Sequence, residues 1–170
     1  MQHPRLSSRI AALGAAVALV CGVPGAADAR SEGAPVVAAE KDTVDLVNKD
    51  LEDALLAEIN RARTAQGLST IRSLDVCTDA LAEQWGNRIA RTGRFEHRDQ
   101  GEVIRKCNNS WAGETLVRGT DLAPVDMVEL WLDSPGHREI LLSRRARLAG
   151  IAITRDAQGR TIGVVNLVRR

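Results

Sequence analysis

The sequence has no tyrosine, one phenylalanine, three tryptophans and three histidines, and its 23 Lys and Arg nearly balance its 22 Asp and Glu. Neither a basic block nor interleaved aromatics occur, so the footprint of a nucleic-acid binder is missing and no nucleic-acid partner is expected. No apolar run reaches the roughly 18 residues of a membrane-spanning helix. The nearest, Ile10 to Val20, is broken by Gly14 and stops at Gly22, Pro24 and Gly25. Internal repeats and low-complexity tracts are also absent.

What the first residues do contain is a secretory signal. Arg5 and Arg9 precede the apolar run, and Ala27-Asp28-Ala29 supplies small residues for cleavage, so residues 1–29 read as a signal peptide. No paired arginines precede the run, which favours general secretion, and Val20 stands where lipid attachment at Cys21 would want a small residue. Cleavage removes Arg5, Arg9 and Asp28, so the remaining chain is formally neutral. It also leaves two cysteines, Cys77 and Cys107, in a chain bound for an oxidising compartment. A disulfide is the natural reading, with two free thiols or a nucleophilic cysteine as the alternatives. The bridge would close a loop of some thirty residues, worth roughly 3 kcal/mol.

Residues 30–42 are rich in Ala, Gly, Pro and charge without periodicity, so they read as a flexible lead, and 43–170 as a single domain able to bury its own core. Leu51, Leu55, Leu56, Ile59 and Ala62 recur at helical spacing before a stop at Gly67. Asp75 caps a second helix whose Leu81, Trp85 and Ile89 share a face, ending at Gly93. Pro124 opens a third, with Val128, Trp131 and Leu132, and a further turn or two holds Ile140, Leu141 and Leu142. Residues 148–154 and 161–168 are rich in Ile and Val about turn chemistry at Asp156 to Gly159, which predicts a terminal hairpin, and 111–117 reads as another strand. Helices then have to pack on a small antiparallel sheet made from distant pieces of chain, an α+β architecture.

Four segments carry polar residues that this pattern does not require: Asn60-Arg61-Ala62-Arg63, Phe95-Glu96-His97, Ala112-Gly113-Glu114-Thr115, and Trp131 followed by Ser134-Pro135-Gly136-His137-Arg138. In this order they resemble the CAP superfamily, the cysteine-rich secretory, antigen 5 and pathogenesis-related-one group, in its short bacterial form. The resemblance runs from about Leu51 to Val168. It implies a three-layer α-β-α sandwich, helices flanking a small, mainly antiparallel sheet.

It also implies a central cleft where two histidines and acidic residues converge and where some members bind a divalent metal, often zinc. By position these are His97, Glu114 and His137; neutral imidazoles with a carboxylate suit zinc and leave a place for water, and Glu114 is alternatively a general base. Asp133, Ser134 and Thr115 are expected to support the cleft. Departures are visible: longer members carry a second glutamate where this chain has Asp133 and Ser134, Thr115 replaces the usual asparagine, and Glu96 the usual serine. A buried polar network that merely holds loops together would use the same residues. Ser134 ahead of Pro135 reads as a helix cap rather than a nucleophile, the three tryptophans as core, and Arg144, Arg145 and Arg147 as cations near a helix end. Three functions stay open. The first is a secreted, monomeric binding module for a lipid, sterol or cell-envelope ligand. The others are a metal-assisted hydrolase of peptide or ester bonds and an envelope interaction protein.

Overall fold

Helix boundaries are set by side chains that meet otherwise unpaired backbone groups. In α2 (Val76–Thr92) the Asp75 carboxylate accepts from the Thr78 N–H at 3.0 Å and from its hydroxyl at 2.9 Å, while Gly93 closes the helix at φ 72°. That is the expected helix with its expected ends. The computed structural model describes residues 34–170, so the expected signal peptide lies outside the described residues.

Two helices depart from the sequence reading. Helix α1 spans Ala34–Ala65, so residues 34–42, expected as an irregular lead, are helical. Proline is tolerated in a first turn, and Ala, Glu and Lys have high intrinsic propensity; neither leaves the apolar stripe by which a helix is recognised. Helix α3 (Gln100–Cys107) was not expected, since eight residues give too short a stripe. Asp99 caps it, accepting from the Gly101 N–H, and Asn108 ends it at φ 54°.

The remaining order is β1 (Trp111–Gly119), α4 (Pro124–Asp133), α5 (Pro135–Leu141), β2 (Leu148–Arg155) and β3 (Thr161–Arg169). All three strands are antiparallel in the order β1-β3-β2, so the predicted hairpin forms and the early strand joins its far side. Register assigns each residue a face, because side chains alternate along a strand. Val117, Val165, Leu167 and Ile151 meet Leu55 and Ile59 of α1, Met127 and Trp131 of α4 and Leu141 of α5. On the opposite face Leu116, Ile162, Val164 and Ala152 meet Ala82, Trp85 and Ile89 of α2. Helices thus cover both faces of the sheet, giving three layers. Cys77 and Cys107 form a disulfide that fastens α3 to α2.

The N-x-x-R segment of α1 serves this scaffold. Asn60 clamps Ile71 through both its N–H, at 2.6 Å, and its carbonyl, at 3.1 Å. Arg63 donates to the carbonyls of Ser69, Leu141 and Ser143, joining the segment after α1 to the end of α5.

The outer margin of β2 is also closed. Ala149 pairs with the segment at Leu74, the Ile151 N–H donates to Asp79 of α2, and the Ile153 N–H donates to Glu52 of α1.

Candidate functional site

The other margin of the sheet is β1, which pairs with β3 alone. Along its first half lies a cavity of about 790 Å³, walled on one side by the segment after α2 and on the other by α5. His97, Glu114 and His137 all line it.

Glu114 faces the α2 side of the sheet, opposite Asn166 of β3, and is 2 % exposed. Its Oε1 accepts from the Arg98 backbone N–H and from His97 Nδ1, each at 2.9 Å, the ring contact being an Nδ1–H donation when Glu114 is ionised. In the neutral form of the ring, that tautomer leaves the lone pair on His97 Nε2. Oε2 of Glu114 is buried without a partner, as are Gln100 Oε1, beside it in the cavity lining, and both amide atoms of Asn166. Burial raises the pKa of Glu114, while the Arg98 N–H and His97 oppose the rise.

Arg98 explains how His97 is held. Its guanidinium is buried and donates to Glu102, to the Leu81 carbonyl and to Gln84, crossing back from the loop to α2. Trp85 Nε1 donates to the Glu96 carbonyl from the same helix. The bonds from Arg98 and Lys106 hold Glu102 down to a pKa of about 2.

His137 arrives from the other wall. Trp131 Nε1 donates to the Leu116 carbonyl, pinning α4 to β1, and Pro135 starts α5 immediately after α4. Arg138 locks that corner by donating to the Leu132 carbonyl. Gly113 leaves room for the approach: a Cβ there would stand 3.0 Å from Ile140 Cγ2. The His97 and His137 rings consequently lie 5.7 Å apart between centroids, tilted by 49°. Partial burial, with His97 alongside, lowers the His137 pKa, which favours the neutral ring.

The three principal residues therefore meet. Of the expected supports, Ser134 lines the cavity but makes no side-chain cap bond, Asp133 is exposed and outside the lining, and Thr115 is buried on the opposite face of β1. The strand alternation that turns Glu114 inward turns Thr115 away. Trp111, expected as core, is half-buried in the cavity wall, because β1 is an edge strand. Gln100, Glu139 and Arg145 also line the cavity, and none belongs to a recognisable pattern. Arg98 adjoins the His97 motif, which was its only signal.

Among the described residues, no three His, Cys, Asp or Glu side chains form a group able to hold a metal ion. Glu114 Oε1 is already committed to His97 and Arg98, so the donor set here is two imidazoles with the carboxylate behind one of them. Carboxylate-backed histidine suits a zinc ligand; of the two rings, His97 is the one with that backing.

An α-β-α sandwich with two imidazoles and a buried carboxylate on its sheet margin defines the class. Residues 56–167 match the CAP family, the cysteine-rich secretory protein family, and the chain belongs to it. Solved structures agree on the fold. An outer surface protein of Borrelia burgdorferi superposes with a TM-score of 0.65 at 20% identity, covering 72% of this chain and 94% of that one. An extracellular SCP-domain protein of Bacillus anthracis gives 0.66 at 18%, covering 76% and 43%. A cysteine-rich secretory protein of Staphylococcus aureus gives 0.58 at 16%, covering 72% and 39%. This chain therefore spans less than half of the latter two proteins. No curated protein matches it.

Proposed function

We propose that this chain is an exported CAP module whose cleft captures a surface ligand rich in hydrogen-bond donors. The carrying observation is the buried, unpartnered Glu114 Oε2, reinforced by Gln100 Oε1 in the same lining. A buried acceptor left unmet costs about 1–3 kcal/mol, which a ligand hydroxyl, amine or amide N–H recovers. Trp111 and Ile140 offer an apolar face beside these acceptors, an arrangement suited to hydroxylated or amide-bearing envelope groups more than to a lipid or sterol. Export is supported by the signal features of residues 1–29, by the disulfide, and by relatives described as extracellular or secretory. No helix among the described residues is long and apolar enough to cross a membrane.

The test is a titration followed by NMR, with N-acetylglucosamine as the donor-rich probe and palmitate as the lipid probe. N-acetylglucosamine should perturb the Trp111 indole N–H saturably, and Glu114→Gln, which keeps the shape and removes the charge, should weaken binding by about tenfold. Saturation by palmitate alone would restore the lipid reading, and silence from both probes would remove the cleft as a ligand site.

The paired rings 5.7 Å apart favour one second reading, divalent-metal binding at His97 and His137. Zinc there would supply Lewis-acid chemistry toward a carbonyl, making the site a hydrolase of peptide or ester bonds. In that role His97 stays oriented by Glu114, whose raised pKa brings it closer to that of a general base. Calorimetry with zinc on the parent, His97→Ala and His137→Ala decides it: equal, negligible heats in all three would end this reading.

A further inference from the structure

Away from the cleft, the segment after α1 and the turn between α5 and β2 enclose two adjoining cavities of about 180 and 610 Å³. Arg63, Arg144 and Arg147 line the smaller, while Arg72, Arg147, Arg169 and Arg170 line the larger. Ser69 and Arg147 line both, so the two cavities share a wall, and no Asp or Glu side chain lines either. Of these arginines, only Arg170 has an acidic partner among the described residues, Asp75 at 2.5 Å.

Arg63 sharpens the anomaly. It is fully buried, forms no ion pair, and spends Nε and Nη1 on three carbonyls. Its Nη2 is buried with no acceptor at all. Capping the end of α5 accounts for Nη1 but not for Nη2, nor for the unpaired guanidinium groups of Arg144 and Arg147 nearby. Arg147 donates only to the carbonyls of Arg144 and Ala146. Burial and the neighbouring Arg147 both act against the charge on Arg63, a cost that an anion would offset.

We propose that these cavities form an anion site for a phosphate group. It sits in the smaller cavity between Arg63, Arg144 and Arg147, and the group it esterifies extends into the larger one past Arg72 and Arg169. Guanidinium forks match the oxygens of phosphate in pairs, and the smaller cavity has room for one such group. Arg144 is exposed and Arg147 half-buried; their side chains swing toward the bound phosphate and open the way to Arg63 Nη2.

The test is calorimetry on the full chain with inorganic phosphate and glycerol 3-phosphate, against chloride at matched ionic strength. One saturable site is expected, weakened at least tenfold in Arg144→Gln/Arg147→Gln and unchanged in Arg118→Gln, which lies elsewhere. Glycerol 3-phosphate should bind more tightly than phosphate, and Arg72→Gln should remove only that advantage. Vesicles of phosphatidylglycerol, compared with phosphatidylcholine, identify the source: cosedimentation lost in the double variant assigns the phosphate to a lipid headgroup, and binding of the free esters alone assigns it to a soluble ligand. Absence of saturable binding in every arm, or equal binding by the double variant, overturns the site. His97, Glu114 and His137 are untouched throughout, so this outcome is independent of the cleft reading.

Discussion

Glu52 shows how a single carboxyl ties stability to pH. It is 6 % exposed, and burial first, then Asp79 and Glu83, raise its pKa to about 7 against the lowering effect of the Ile153 N–H and Lys49. The folded pKa lies above the ordinary 4.5, so the protonated form favours folding. Its contribution is complete below about pH 4.5 and is lost as pH rises through 7. A shift of this size corresponds to about 3 kcal/mol. Glu52→Gln keeps the acceptor for Ile153 without the charge; urea unfolding at pH 5 and pH 8 should show the variant gaining about that much stability relative to the parent at pH 8, and little at pH 5. Equal differences at both values would refute the assignment. At this scale His97, Glu114 and His137 were legible, because each sits in a short motif whose order survives without coordinates. The positions of Asp133 and Thr115 away from the cleft were not legible, for a different reason. Which way a side chain points depends on helix phase and strand register, and proximity in sequence carries neither.

Among the elements, apolar periodicity located α2, α4, α5 and the hairpin. It missed α3, with only Val103 and Cys107 buried, and the start of α1. What periodicity also cannot show is how closely two elements approach. At Gly150 of β2 an added Cβ would fall 2.3 Å from the Thr78 carbonyl carbon and oxygen and 2.5 Å from the Asp79 nitrogen. Those are backbone atoms at the start of α2, unable to rotate away. Gly150→Ala should therefore cost about 3 kcal/mol by forcing helix and strand apart, read as a lower urea midpoint. Gly136→Ala, where nothing lies within 4 Å, should change stability by about 0.5 kcal/mol or less. Comparable losses in the two variants would show that packing at Gly150 is looser than described.

For the whole molecule, the layer order came from family resemblance, since sequence pattern alone gives helices and strands but not which face each helix covers. The disulfide was legible by counting, and its place gives it a wider role: it fastens α3 to α2, the helix that anchors the His97 loop. Reducing it reopens a 30-residue separation, a loss of about 3 kcal/mol. For a chain of this length that corresponds to a fall in melting temperature of about 10 °C. Calorimetric scans with and without reductant measure it, and an unchanged midpoint would deny the bridge any share in stability.

The carboxylates of Asp79 and Glu52 along β2 have a consequence for crowded solutions. A foreign strand seeking to extend the sheet there would find the donors at Ile151 and Ile153 already engaged, and its own carbonyl oxygens would face acidic oxygens instead of amides. Fibril-like stacking is thereby barred on that flank without spending a proline or a bulge.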